Sequence, residues 1–440
     1  MNRIRKIFES IWSVVAIIGV AMILWACNLG HVAMLVMSGY GVGVFLVSRD
    51  PKNALFMPLT AAFFLNDFKD KSHYLFYGIA IVMYVLTAVY FLIKMYLKPN
   101  IKRTEGNMYV AHLFYTVGVC IGGLVGFFDL TVMVLVLLFC VVIYFYYFMI
   151  INYATNFKNA FRYFFIIVGV QLFVQIIILH IKQGGALLDA LLYKNIIEIG
   201  VQNINVASIY LFFAMSSMFW LALDHKKYDY IFMLGAVAFE TLIILIYSRI
   251  GTLISSIAFV GLWVYLFVKS NHKKILLLIF VVLVAVFVTL LLLPNSRVFG
   301  VIKSYVDAGF SANGREELWP WCLEKFKANP IFGIGFVSPN DPVPSVTTPN
   351  VVLAHNTLLQ YMTSVGIIGL ALVSVYYVMK YRVVIKGLKG TDKFCLLILL
   401  GVELIGIFDQ SPTMDIFMTL CCTGFIALAE TMYKSNKTNL

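Results

Sequence analysis

Charge is scarce in this sequence. Asp, Glu, Lys and Arg make up only 12% of its 440 residues, against 62% hydrophobic ones, a balance that excludes a soluble globule of ordinary composition. Lipid must be its solvent. Internal repeats, low-complexity tracts and soluble domains are all missing, so the chain reads as helices and loops throughout. The seven cysteines show no zinc-ligand spacing. Six of them (Cys27, Cys120, Cys140, Cys395, Cys421 and Cys422) fall in apolar stretches, where small apolar packing explains them better than a disulfide framework or a metal site.

What the chain has in quantity is long apolar runs. A membrane span needs roughly 20 mostly apolar residues, and inside lipid its backbone must satisfy itself as helix. Such runs fall near 11–29, 31–48, 53–66, 73–95, 107–127, 130–151, 161–180, 204–223, 229–248, 251–268, 274–293, 352–379, 394–409 and 413–432. The third is short and flanked by Pro51 and Pro58, as a half-helix would be, so the expected fold is an all-α polytopic integral membrane protein with about 12–14 transmembrane helices.

Basic residues set the orientation, because cytoplasmic loops retain positive charge during insertion. With a cytoplasmic N-terminus, 23 of the 33 Lys and Arg fall inside and 10 outside, half of the latter in one long loop. Both termini are then cytoplasmic. The net charge of +12 is spread over the cytoplasmic loops, where anionic lipid headgroups account for it without nucleic acid as a partner. Arg3, Arg5 and Lys6 precede a first span long enough to be an uncleaved anchor.

The one large departure from helix and short loop runs from Pro294 to Asn350, and seven of the eleven prolines lie there. Within it, Arg315 to Ala328 carries Leu318, Trp319, Cys322, Leu323 and Phe326 at helical spacing, which predicts an amphipathic helix on the membrane surface. Asn313 or Gly314 would begin it and Asn329-Pro330 would stop it. A connection this long is more often functional than incidental. Its acidic and basic residues balance, so an anion site here must depend on individual arginines.

Three side chains on the outer side stand out. Arg249, in Tyr247-Ser248-Arg249-Ile250-Gly251, lies between two apolar runs with almost no loop around it; it either snorkels to water or binds an anion. Arg315 opens the amphipathic helix, where free N–H groups favour an anion, although Glu316 or Glu317 could equally hold it in a salt bridge. His355, in Ala354-His355-Asn356-Thr357, stands at the outer entrance of the next span, as a proton-transfer group or as a structural histidine beside a helix cap. Two arginines able to hold a diphosphate and one histidine able to act as base fit transfer of a group from a diphosphate to a hydroxyl. No Asp-x-Asp lies near them to hold a divalent metal, so arginine charge would stabilise the leaving group. Two carboxylates within spans, Glu240 and Glu403, could pair with another helix or line a cavity.

These residues carry a resemblance. Ser248-Arg249, Gly314-Arg315 followed by Trp319, Asn329-Pro330-Ile331-Phe332-Gly333-Ile334-Gly335-Phe336, His355-Asn356 with Gln360, and Gly366-Ile367-Ile368-Gly369-Leu370 together resemble the O-antigen ligase and polymerase superfamily, over roughly residues 240–380. The resemblance implies membrane enzymes acting on undecaprenyl-diphosphate-linked glycans; neither a cofactor nor a metal is expected here. It also implies that Arg249 and Arg315 contact the donor diphosphate while His355 acts on or orients the acceptor hydroxyl. Gly333 and Gly335 would let the loop turn tightly. Trp319 and Trp321 would stack on sugar or join the interfacial aromatic belt, and Asn356 would support the loop or the substrate, or simply cap the helix.

The chain then divides into N-terminal helices (1–240), a ligase-like catalytic region (241–380, with loop 294–351) and C-terminal helices (381–440). The resemblance places it in the cytoplasmic membrane of a bacterium, the site facing outward, with the lipid-linked donor, a glycan acceptor and a chain-length regulator as partners. Its 24 Lys to 9 Arg lean towards a low-GC genome, and many such organisms lack a lipid A acceptor. A repeat-unit polymerase is therefore expected ahead of a ligase. A lipid-linked oligosaccharide flippase is the reading from another class, but flippases usually show two related halves and short loops.

Overall fold

The computed structural model describes residues 2–65, 73–97, 106–125, 130–182, 199–200, 204–246, 248–293, 299, 303, 315–338, 341–344, 351–388, 390–408 and 415–438. Among these the chain is helical, without strands, and an antiparallel bridge pairs Val337 with Val351. The helices are α1 (Asn2–Glu9), α2 (Ile11–Ala26), α3 (Gly30–Val47), α4 (Lys52–Ala61), α5 (Tyr74–Tyr96), α6 (Met108–Val125), α7 (Leu130–Tyr153), α8 (Phe157–Lys182), α9 (Ile204–Asp224), α10 (Asp229–Leu245), α11 (Arg249–Lys269), α12 (Lys273–Leu292), α13 (Arg315–Ala328), α14 (Thr357–Gly387), α15 (Phe394–Phe408) and α16 (Ile416–Thr438). Each of the fourteen apolar runs has its helix. Among the described residues, seven helices are long and apolar enough to cross a membrane, or eight with the α1–α2 pair, which bends by 69°. The chain is an all-α polytopic membrane protein.

By internal contacts it forms two compact units, residues 1–103 with 152–306, and 104–151 with 307–440. In the first, α4 is the predicted half-helix: it contains Pro58 and closes in a tight turn, Ala62–Phe64. A helix that stops in an apolar setting leaves bare carbonyls. Gln175 of α8 answers one of them, its Nε2 donating to Phe63 O at 2.9 Å, and Gln171 meets Thr60 beside it. At the turn between α11 and α12, the buried Asp229 accepts from Ser270 Oγ and lies 2.8 Å from His272 Nδ1.

In the second unit, the long α14 is the axis. Gly118 and Gly122 of α6, one turn apart, bring that helix onto α14 so closely that a Cβ on Gly122 would stand 2.1 Å from Ser364 O. Small residues four apart allow this approach in an apolar medium. Farther along α14, Lys380 is buried and forms an ion pair with Glu403 of α15, its ammonium 4.8 Å from the Tyr377 ring centroid. The apolar run read from the sequence ends at 379, just before Lys380. Instead the helix runs on to Gly387, because the carboxylate and the aromatic faces compensate the charge.

Candidate functional site

The second unit assembles its site around two ends of helix. Asn356 caps α14, its Oδ1 accepting from Leu359 N at 3.0 Å. Immediately before the cap, His355 has φ 48°, the left-handed region that a non-glycine residue enters at a cost of about 1–2 kcal/mol. The surroundings hold it there. The buried Gln360 accepts from Ala354 N at 2.8 Å through Oε1 and donates through Nε2 to Val352 O and Ser364 Oγ, both at 2.9 Å. One amide thus fixes the chain just ahead of His355 to the first turns of α14, leaving the imidazole half-buried at the helix entrance.

The second helix end belongs to α13. Arg315 is its first residue and is half-buried; Trp319, one turn later, donates Nε1 to Ala354 O at 3.1 Å. Residues four apart share a helix face, so the face that Arg315 opens is the one fastened to the residue preceding His355. Asn313 and Gly314, expected to begin this helix, lie outside the described residues. Where the sequence suggests an apolar face resting on lipid, Leu318, Trp321 and Cys322 are buried against Val343, Val352 and Ala354 instead. Burial pushes the Cys322 thiol up to about 11, so it is inert packing. At the far end of α13, Lys325 pairs with Asp341 and holds that carboxyl below the usual range.

A third feature ties both ends together. α14 is broken at Gly366 (φ 64°, ψ −166°), which frees carbonyls on one side and N–H groups on the other. The segment Pro330 to Gly335 occupies the break. Ile334 N donates to Thr363 O and Gly335 N to Ser364 O, both at 2.9 Å; Ile367 N donates to Pro330 O at 2.8 Å and Ile368 N to Ile331 O at 3.1 Å. Gly333 has φ 70° and Gly335 φ 86°, and a Cβ on Gly333 would lie 2.5 Å from the Ser364 carbonyl carbon. The two glycine-containing motifs read from the sequence are therefore the two halves of one joint.

Arg249 belongs to the first unit. It is the first residue of α11, half-buried, and its Nε is buried with no hydrogen-bond partner among the described residues. Sequence reasoning names Arg249, Arg315, His355, Trp319, Gly333, Gly335 and Asn356, and the last six share the second unit. It misses what Gln360 does, because a motif glutamine gives no sign of what its amide will grip. It also misses Ser255 and Ser256, which donate to Glu240 at 3.1 and 2.7 Å; a carboxylate within a span was the available signal. Among the described residues, no group of three or more His, Cys, Asp and Glu side chains is arranged to hold a metal ion.

A search of curated proteins gives no match to the chain. The sequence model of the O-antigen ligase family matches residues 232–374, from within α10 to within α14, and so includes Arg249, Arg315, both glycine motifs and His355. Over that stretch, about a third of the 440 residues, the chain is similar to the O-antigen ligase family.

Proposed function

We propose that this protein is a polysaccharide repeat-unit polymerase, moving a glycan from an undecaprenyl-diphosphate donor to a sugar hydroxyl on the extracytoplasmic face of a bacterial cytoplasmic membrane. The observation that carries the reading is the fastening of Trp319 to Ala354. It puts the helix opened by Arg315 against a histidine held in a strained backbone conformation, and such strain is characteristic of sites where placement matters. The acceptor oxygen attacks the anomeric carbon, the bond from that carbon to the diphosphate oxygen breaks, and configuration inverts. His355 takes the hydroxyl proton. Arg315 stabilises the negative charge that develops on the diphosphate, as the planar guanidinium suits phosphate oxygens. Arg249 is given the same task on its own chemistry, a half-buried guanidinium at a helix start. This route uses no metal.

A ligase that hands the finished glycan to lipid A core or protein is the second reading, favoured by the matched family's description as O-antigen ligase. Purified protein with lipid-linked donor tests the chemistry. Loss of about 10²–10⁴-fold in turnover is expected for His355→Ala, and about 10²–10³-fold for Arg315→Ala or Arg249→Ala. Wild-type turnover in any correctly inserted variant removes that residue from the mechanism. Deletion of the gene separates polymerase from ligase: single-unit glycan means polymerase, whereas full-length chains left on the carrier mean ligase. A flippase yields no elongated product in detergent.

A further inference from the structure

Glu240 lies within α10, only 6% exposed. Its Oε1 accepts from Ser255 Oγ at 3.1 Å and from Ser256 Oγ at 2.7 Å, both on α11. Its Oε2 is buried with no hydrogen-bond partner among the described residues. A carboxyl group in an apolar span is costly, and here only one of its oxygens is engaged.

The hydroxyls it receives belong to a series. Ser248, Thr252, Ser255 and Ser256 follow at four- and three-residue spacing, which keeps them on one side of α11. Ser248 Oγ donates to Asn205 Oδ1 at 3.1 Å and lies 3.2 Å from Ser208 Oγ of α9. Thr252 Oγ1 donates to Ile243 O of α10 at 3.3 Å. Glu240 closes the series. Each turn of α11 from its cap to Ser256 is thereby tied to a neighbouring helix, and Arg249 stands at the start of this ladder, three residues before Thr252 and seven before Ser256. With Arg249 Nε unpartnered among the described residues, the guanidinium takes its place from the setting of α11.

We propose that Glu240 is a positioning residue for Arg249: by accepting from Ser255 and Ser256 it fixes the rotation and height of α11, and so where the guanidinium stands. The kinetic part rests on reading Arg249 as a contact to the donor diphosphate. Because one accepting oxygen suffices, an amide at this position does the same work.

Two measurements test it, both on the full chain in lipid nanodiscs. In Arg249→Cys protein, reaction of the thiol with a water-soluble maleimide reports the position directly. Added Glu240→Ala, or Ser255→Ala with Ser256→Ala, is expected to change that rate several-fold, and Glu240→Gln to restore it. Equal rates in all of these overturn the proposal. In the parent protein, Glu240→Ala is expected to lower turnover about ten- to a hundredfold with the acceptor KM unmoved, to be rescued by Glu240→Gln, and to add nothing once Arg249 is Ala. Unchanged turnover, or an effect that persists in Arg249→Ala, overturns it. If Arg249→Ala turns over normally while the thiol rate still follows Glu240, the positioning stands and the donor-site reading falls.

Discussion

His355 shows how a single residue is held in place by its neighbours. Its left-handed backbone is a cost carried by the fold, and Gln360, Asn356 and Trp319 hold it there through five hydrogen bonds. The cost can be recovered by substitution. Asparagine and glycine enter this region more readily than alanine, so His355→Asn and His355→Gly should be more stable than His355→Ala by about 1 kcal/mol and unfold at higher temperature, while all three lose transfer. A thermal unfolding series in detergent checks this, and equal midpoints count against backbone strain. Gln360→Leu leaves Ala354 N and Val352 O bare and should cost about 1–3 kcal/mol. The histidine and the two arginines were legible in the sequence because each is a polar group out of place beside an apolar run. The amide that holds the histidine was not, since nothing in a sequence says which backbone atoms a glutamine will meet.

At the level of helices, the break in α14 governs more than its own span. Gly366→Ala combines a positive φ with a Cβ 2.4 Å from Ile331 O, and should destabilise by roughly 1–3 kcal/mol. Gly122→Ala, with its Cβ 2.1 Å from Ser364 O, presses on the same joint and should do likewise. Gly261 in α11 is the control: a Cβ there meets nothing within 4 Å, so Gly261→Ala should be neutral or stabilising by up to about 1 kcal/mol. Unfolding midpoints for the three variants decide whether close approach is what matters. Hydropathy finds such helices reliably, because lipid leaves the backbone no alternative, but it reads only averages. It sees Lys380 as the end of a span because the compensating Glu403 lies 23 residues away in sequence, and it passes over Gly366 because a break filled by another segment changes no average.

For the molecule as a whole, the charge count assigns a side to every loop, and labelling can test it. In a Cys27→Ser background, Lys327→Cys should react with an impermeant maleimide added to intact cells, and Lys227→Cys only after lysis; both positions are exposed. The opposite pattern would turn the topology over and place the site on the wrong side for a lipid-linked glycan delivered outward. Membrane character, helix order and the likeness to the O-antigen ligase family over residues 232–374 were all legible at this scale, since each rests on composition or on motifs in fixed order. The division into two compact units was not, because it gathers residues 104–151 with 307–440, and no linear signal announces that pairing.

The joint at Gly366 also constrains what can be inherited separately. Residues 330–335 complete the hydrogen bonding of a span synthesised after them, so neither piece is a finished part without the other. A chimera that exchanges the loop alone between two such proteins inherits a mismatched socket, whereas one that exchanges 330–335 together with 363–368 carries a matched plug and socket. Substitutions that keep this joint intact must therefore fall outside these two short stretches, or change both of them together.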